Sequence, residues 1–599
     1  MKFRTLLVAN RGEIALRVMR TARRMGLATV AVCSDADRDA PHVRFADRAA
    51  CIGGPAPRDS YLNIRNILEK TAGIVDSVHP GYGFLAESAE FAQAVLDAGL
   101  VWVGPPPAAI RAMGDKGEAK RLMQAAGVPV VPSYEANPEF PVMIKAAAGG
   151  GGRGMRLVRS KKELETALEG ARSEAEHAFG DGRILLEKAL ENSKHVEIQI
   201  FADTHGNCVH LGERDCSVQR RHQKLIEESP SPVVDAKLRA RMGEAAVAAA
   251  RAVGYAGAGT VEFLLAPDGK FWFMEMNTRL QVEHTVTEAV TGLDLVEWQL
   301  RVAAGERLPL SQDAIRFSGH AIEARLCAED PAQDFLPQSG KLVRWEPAEG
   351  IRVDHALESG IAISPHYDSM IAKLVAHAPT RDAAREQLAR ALDATVALGV
   401  PTNKSFLAAV LRDEGFARGK STTAFLETWK FRDKPIEPSA VATATALLAR
   451  NGGFGEWTGW SNNPEHGLRA RFDGRDFAFR YRDLPVDSAG LPSIVEGNIV
   501  HFALDGCSLR FENTLHAAPE KRAGHAGDGR LAAPMNGRVV AVHARPGARF
   551  DAGQPLVVLE AMKMEHGLHF SFPVRVKEVH VKTGMQVSPG YLLVEYEPA

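Results

Sequence analysis

Three stretches of this 599-residue sequence carry side chains whose types and spacing suit chemistry better than packing. In 259–288 (GTVEFLLAPDGKFWFMEMNTRLQVEHTVTE), Glu262 and Glu275 flank a Pro267-Asp268-Gly269 turn. A hairpin there can bring both carboxylates to one face, with Asn277 two residues further along it. Two carboxylates and an amide suit a hard divalent cation, Mg²⁺ or Mn²⁺, whose shell phosphate oxygens would complete. Val261, Phe263, Phe271, Phe273 and Met274 surround them with apolar bulk, and a buried carboxylate needs a partner. Arg279, Gln281 and Glu283 then offer a cation, an amide and a carboxylate within five residues. The second stretch, KAAAGGGGRGM at 145–155, has four consecutive glycines between β-rich segments. Such a run costs backbone entropy, and its use is close approach of N–H groups to an anion such as phosphate. It lacks the terminal G-K-[ST] of a P-loop. The third is Ala561-Met562-Lys563-Met564, a lysine between two methionines. Methionines displayed on an exposed turn are poor surface chemistry, which points to recognition.

The elements that must position these residues follow from periodicity. An apolar run at 6–9, a helical pattern at 14–25 and a strand at 28–33 predict a doubly wound α/β domain, with Arg11-Gly12 at the helix start. VDSVHPGYGFLAES (75–88) reads as a strand ending in a glycine-rich loop, the usual ligand position of an open α/β sheet. Strands with glycine punctuation follow to about 205. An α+β body then runs to about 430, with helices near 233–253, 292–304 and 381–397. DKPIEPSA (433–440) reads as a boundary, 454–513 as a small β domain, and 514–530 as a linker. The last 69 residues contain a repeat at a constant offset of 37, pairing Val542 with Val579, His543 with His580, Gly547 with Gly584, Gly553 with Gly590 and Leu556 with Leu593. Two copies of one β unit imply a pseudo-two-fold sandwich, with Lys563 on the exposed hairpin turn between its halves.

Composition sets the outer limits. Apolar residues make up 45% and charged residues 24%, and 72 basic against 74 acidic side chains leave a net charge of −2. No global basic field exists for nucleic acid or an anionic membrane surface. No apolar run approaches the roughly 20 residues of a membrane helix. Six scattered cysteines form no C-x-x-C pair, which favours reduced thiols. With a strand beginning almost at once, leaving no room for a cleaved targeting peptide, these features predict a cytoplasmic, bacterial protein.

The motifs also carry a resemblance. Residues 531–598 resemble the biotin carboxyl carrier domain, whose hallmark is A-M-K-M. That implies biotin attached to Lys563 by a biotin protein ligase. The glycine run is similar to the lid of the ATP-grasp family. There Lys145 and Lys116 (in Met-Gly-Asp-Lys) would hold nucleotide phosphates together with Gly150, Gly151 and Gly152. ILLEKAL (184–190) would be the adenine hinge, through Glu187, Lys188 and Leu190. Adding HVEIQIF (195–201), RDCSVQRRHQKLIEE (214–228), EMNTRLQVEH and GHAIEARL, residues 1–432 resemble biotin carboxylase. The resemblance implies that Glu283 is the general base that deprotonates bicarbonate for attack on the ATP γ-phosphoryl, giving carboxyphosphate. Lys224, Arg279, Gln281 and the Val282 backbone would hold bicarbonate. Arg325 would stabilise the enolate oxygen of biotin, and His195, Gln219 and His222 would contact nucleotide. In one departure, only 28 residues separate Lys116 from Lys145, so the lid lobe is trimmed near 133–140.

The expected architecture is multidomain α/β and α+β. It comprises an N-terminal doubly wound domain (1–112), an ATP-grasp domain (113–320), a carboxylase C-terminal domain (321–432), a β-rich subunit-docking domain (440–515), a linker (516–530) and a β-sandwich biotinyl carrier (531–599). The resemblance is to biotin-containing α subunits of acyl-CoA carboxylases. Within that family, EAMKMEH (560–566) and LVEWQ (295–299) are most similar to the 3-methylcrotonyl-CoA and geranyl-CoA enzymes, ahead of the propionyl- and acetyl-CoA enzymes. A non-catalytic biotinyl scaffold is the alternative of another class, opposed by the intact Lys116, Lys145, Glu262, Glu275, Arg279, Glu283 and Arg325. No stretch remains for a carboxyltransferase. The expected partner is therefore a carboxyltransferase β subunit in an α6β6-type hetero-oligomer, without nucleic acid or membrane.

Overall fold

The structure is a computed structural model. It describes residues 2–599 apart from 136, 148–154, 180, 432–436, 452–466, 473–474, 481–483, 486–489, 515–528 and 563. Gly150, Gly151, Gly152 and Lys563 thus lie outside the described residues.

The N-terminal unit is a five-stranded parallel sheet in the order Arg48–Gly53, Ala28–Ser34, Thr5–Val8, Ser77–His79, Val101–Trp102. Its strands are near-continuous apolar runs because helices cover both faces of a parallel sheet. The helix Gly12–Arg24 buries Ile14, Ala15, Val18, Met19 and Ala22 on one stripe. Two loops leave the C-terminal ends of adjacent strands and are tied by Asn10, whose Nδ2 donates to the carbonyls of Pro80 (2.7 Å) and Tyr82 (2.8 Å). Gly81, at φ +65°, lies so close that a Cβ would meet Asn10 Nδ2 at 2.8 Å, which restricts the position to glycine. His79 ends the strand fully buried. Its Nδ1 accepts the Gly81 N–H (2.9 Å), leaving Nε2 protonated toward Gln299 Oε1 at 3.1 Å.

The body is one eight-stranded antiparallel sheet: Phe271–Asn277, Gly257–Leu265, Lys194–Ala202, Cys208–Arg220, Gln223–Ser229, His320–Cys327, Met370–Ala378, Arg352–His355. It runs across the boundary expected at 320/321, because Gln223–Ser229 pairs with His320–Cys327 (Ile226 opposite Ala324). The helices Ala236–Ala252, Leu295–Ala303 and Arg381–Ala394 lie where periodicity placed them. A smaller four-stranded sheet, Ser133–Tyr134, Ile184–Lys188, Val142–Ala146, Arg156–Val158, packs against the helix Lys161–Phe179 and overhangs one end of the body.

The domain expected to be β-rich (440–515) opens with a helix, Pro438–Asn451. Its Ala440, Val441, Ala444 and Leu447 pack on Phe472, Val500, Phe502 and Phe511. Low apolar contrast in PSAVATATALLARN hides the helical stripe. The carrier is a sandwich of two four-stranded sheets in which Gly537–Val542 and Val574–Val579, Arg549–Phe550 and Gln586–Val587 take equivalent places, as the repeat requires. Its first strand, Arg530–Ala532, starts at the residue where the linker was expected to end. All six cysteines are free, and among the described residues no helix is long and apolar enough to cross a membrane.

Burial pushes His79 down to about 4 from 6.5, and protonating Nδ1 would break its bond to Gly81. The unfolded chain therefore takes up this proton first, and stability is lost as pH falls from about 6.5 toward 4. Between about pH 7 and pH 5 the contribution is about 2 kcal/mol. His79→Asn keeps an acceptor that never charges, so its melting temperature should fall less over that interval than that of the unmutated protein. An equal fall would contradict the assignment.

Candidate active site

A cleft of about 600 Å³ opens where the two N-terminal loops, the small overhanging sheet and the large sheet converge. Sixteen of the residues singled out in the sequence line it: Lys116, Lys145, Glu187, Lys188, Leu190, His195, Gln219, His222, Lys224, Glu262, Glu275, Asn277, Arg279, Gln281, Val282 and Arg325. Glu283 lies beneath its floor, fully buried at the start of the helix His284–Thr291. Its carboxylate makes no capping hydrogen bond and is turned toward the cleft cations instead.

The centre of the site is the Lys224 ammonium. Its Nζ donates to Glu197 Oε2 (2.6 Å), Glu262 Oε1 (2.8 Å) and Glu283 Oε1 (2.6 Å), contributed by three different segments. Burial would lower the Lys224 pKa, but the three carboxylates raise it well above its ordinary value, so the cation persists. Burial would raise Glu283, yet Lys224, Arg325 and Arg214 hold it well below the usual carboxylate range, and Glu262 behaves likewise under Lys224 and His195. His195 Nε2 sits 2.8 Å from Glu262 Oε2, an ion-pair contact rather than an aligned hydrogen bond, and is held above its ordinary value against burial. Arg325 donates through Nη2 to Glu283 Oε2 (2.9 Å) and through Nε to Glu227 Oε1 (2.5 Å). Burial first, with the neighbouring carboxylates Glu323 and Glu283 adding to it, pushes Glu227 up to about 8 despite Arg325.

Around this centre a second tier of side chains is held by hydrogen bonds. Arg279 donates to Asn277 Oδ1 (3.1 Å), Gln281 Oε1 (3.2 Å) and Glu87 Oε2 (2.9 Å). Gln281 and Asn277 both donate to Glu262 Oε1, at 3.0 and 2.8 Å. Glu262 and Glu275 stand directly opposite on their hairpin, with Asn277 opposite Thr260. Burial, and then the Glu262 charge, raise the Glu275 pKa, so this carboxylate lacks enough positive charge of its own. Glu275 therefore has room for a divalent cation, whereas Glu262 already accepts from Lys224, Asn277 and Gln281 and Asn277 has both ends of its amide engaged, so a cation shared by the three displaces some of these contacts.

At the other end Lys116 and Lys145 face the cleft. Glu187, placed at an adenine hinge by the sequence, turns its carboxylate to Lys145 and Lys120, both at 2.7 Å. Its carboxylate thereby bridges two ammonium groups. Gln219 sits opposite Lys224 on paired strands, while His222, at φ +64°, is exposed in the turn joining them.

The carrier reaches this cleft. Met562, at φ +47°, is expected on an exposed turn but is only 7% accessible, because it lines the cleft and joins a core cluster that includes Leu225 and Phe335. Leu336 packs against the carrier core, and Arg220 lies 4.2 Å from the centre of the Phe335 ring. Sequence reasoning missed Glu87, Lys120, Glu197, Arg214 and Glu227. Arg214 is fully buried, donating to Glu197, Gln199, Thr260 and Thr287. The available signal was charge inside strands otherwise buried on both faces, as in KHVEIQIFA.

Comparison with known proteins agrees with this architecture. Family models described as "Biotin carboxylase, N-terminal domain", "Carbamoyl-phosphate synthase L chain, ATP binding domain", "Biotin carboxylase C-terminal domain" and "Biotin-requiring enzyme" match residues 2–110, 115–311, 323–428 and 529–595. The mitochondrial methylcrotonoyl-CoA carboxylase subunit alpha of Arabidopsis thaliana is 42% identical over 98% of this chain and 94% of its own. That of Rattus norvegicus is 40% identical over 99% and 93%. The biotin carboxylase domain of Hydrogenobacter thermophilus 2-oxoglutarate carboxylase, solved with MgADP, ADP and bicarbonate, superposes with a TM-score of 0.70 at 44% identity, covering 72% of this chain and all of that one. The mitochondrial relatives overturn the cytoplasmic, bacterial location expected from the sequence. Reduced thiols suit a mitochondrial matrix equally well, so they never discriminated between the two. The chain belongs to the family of biotin-containing carboxylase α subunits, ATP-dependent ligases that join a biotin carboxylase to a biotinyl domain and work with a carboxyltransferase subunit.

Proposed function

We propose that this chain is the α subunit of a 3-methylcrotonyl-CoA carboxylase, and that the residues around Lys224 divide the work of its first half-reaction. The observation that carries the assignment of roles is a buried carboxylate, Glu283, kept ionised by Lys224 and Arg325 beside the Arg279–Gln281–Val282 niche. Arg279, Gln281, Lys224 and the Val282 backbone hold bicarbonate there, and Glu283 takes its proton. In the ligand-free arrangement Glu283 is a weak base because two cations stabilise its charge. An anion entering the niche draws Lys224 and Arg325 toward itself and returns basicity to Glu283 when the proton must move. Lys116, Lys145, His195, Gln219 and His222 bind the nucleotide, with Gly150, Gly151 and Gly152 assigned to its phosphates and Lys188 and Leu190 to the base. Bicarbonate attack on the γ-phosphoryl yields carboxyphosphate and ADP. Glu262 and Glu275, with Asn277 alongside, would hold Mg²⁺, which neutralises phosphate charge. Biotin on Lys563, attached by a biotin protein ligase, supplies a carrier for the carboxyl group, and Arg325 presents its guanidinium to the ureido oxygen.

The nearly full-length methylcrotonoyl-CoA carboxylase relatives support the acyl-CoA assignment. We assign residues 440–515 to docking of the β subunit, 516–530 to the linker, and the whole to an α6β6-type assembly.

Glu283→Gln keeps the side-chain shape but cannot accept a proton. Bicarbonate-dependent ATP cleavage should fall by about 10²–10⁴-fold while nucleotide affinity holds; retention of more than about a tenth of the rate would remove Glu283 from the role. The acyl-CoA reading is tested with chain co-expressed with a biotin ligase. Intact mass should show one biotin, absent from Lys563→Arg. The purified chain should carboxylate no acyl-CoA until its β subunit is added, and 3-methylcrotonyl-CoA should then be preferred over geranyl- and propionyl-CoA. Conversion by the chain alone, or preference for another acyl-CoA, would contradict it.

A further inference from the structure

Lys373 lies in the strand Met370–Ala378, inside the apolar run Ile371-Ala372-Lys373-Leu374-Val375, and has no accessible surface. A lysine in such a place requires a dedicated partner. Its closest contact is a backbone group: Nζ donates to the Val282 carbonyl at 2.9 Å. The two carboxylates nearby are farther, Glu13 Oε2 at 3.6 Å and Asp354 Oδ2 at 3.9 Å. The Tyr82 ring lies 5.7 Å away.

Register gives this contact its meaning. Lys373 pairs directly with Arg325 on one neighbouring strand and with Asp354 on the other. Directly opposed residues project from the same face of a sheet. Arg325 holds the Glu283 carboxylate at 2.9 Å, while Lys373 holds the carbonyl of the residue before it. The cross-strand pair therefore grips the Val282–Glu283 unit at two points, its side chain and its peptide plane. The Val282 carbonyl belongs to the peptide whose nitrogen is that of Glu283, so holding it restricts the rotation that would carry the carboxylate away from Lys224.

We propose that Lys373 is a positioning residue for Glu283, holding the Val282–Glu283 peptide so that the carboxylate and the bicarbonate niche keep their mutual geometry. The proposal rests on the assignment of Glu283 as the base. The charge balance around Lys373 permits a clean test. Neither Glu13 oxygen has a hydrogen-bond partner among the described residues, and burial pushes its carboxyl up to about 7.

Lys373→Met removes the donor but strands Glu13, so part of any defect could be lost folding. The double variant Glu13→Gln/Lys373→Met removes both charges and still leaves the carbonyl unheld. Three readouts on the full chain are compared: melting temperature, KM for ATP, and kcat and KM for bicarbonate in bicarbonate-dependent ATP cleavage. The double variant should regain the melting temperature lost in the single one and keep the ATP KM. Its kcat/KM for bicarbonate should stay about 10–100-fold low, as misplacement near 1 Å does. Recovery of the bicarbonate parameters together with stability would reduce Lys373 to a structural ion and overturn the proposal. Glu283→Gln, assayed alongside, separates the two readings: if it keeps full bicarbonate-dependent activity, the assignment of the base has failed instead.

Discussion

One ammonium group shared among three carboxylates organises this molecule. Lys224 draws Glu197, Glu262 and Glu283 to within 2.6–2.8 Å, and those residues come from a central strand of the large sheet, a hairpin and a helix start. Three buried carboxylates at such distances would repel and protonate without a cation, and the cation would be neutral without them. Each charge is stable only because the others are present, so three strands and one helix start are tied together by a single electrostatic constraint.

That constraint explains why one continuous sheet underlies two units that sequence patterns separate. Arg325 must reach Glu283 from the strand His320–Cys327, and it does so because that strand pairs with the one bearing Lys224. The N-terminal unit joins at the opposite wall, where Glu87 accepts from both Thr278 N and Arg279 Nε. A loop of one domain thereby fixes the niche-forming arm of another. The carrier meets the same cleft through Met562, which lines it and joins the core cluster that includes Leu225 and Phe335.

Much of this was legible in the residues. The Glu262–Glu275 hairpin follows from alternation around a Pro-Asp-Gly turn, and the carrier sandwich follows from a repeat at constant offset, because both depend on local periodicity. Glu197, Glu227 and Lys373 were not legible, since their roles depend on which strands lie side by side: Ile226 meets Ala324 and Arg325 meets Lys373 across long stretches of chain. The helix Pro438–Asn451 escaped because alanine and threonine give little contrast between its faces. Glu187 illustrates a different gap. Its motif placed it at the adenine end, but only the geometry shows that its charge is taken by Lys120 and Lys145.

The ionised state of Glu283 in the free protein is the claim on which the account stands. Infrared difference spectra of protein labelled with ¹³C-carboxyl glutamate, unmutated minus Glu283→Gln, isolate that one group. The account predicts a carboxylate band at about pH 6 as well as about pH 8, because Lys224 and Arg325 hold the group well below its ordinary range. In Lys224→Met the same band should lose intensity to a protonated carboxyl at about pH 6. A protonated Glu283 at about pH 6 with Lys224 in place would contradict the account.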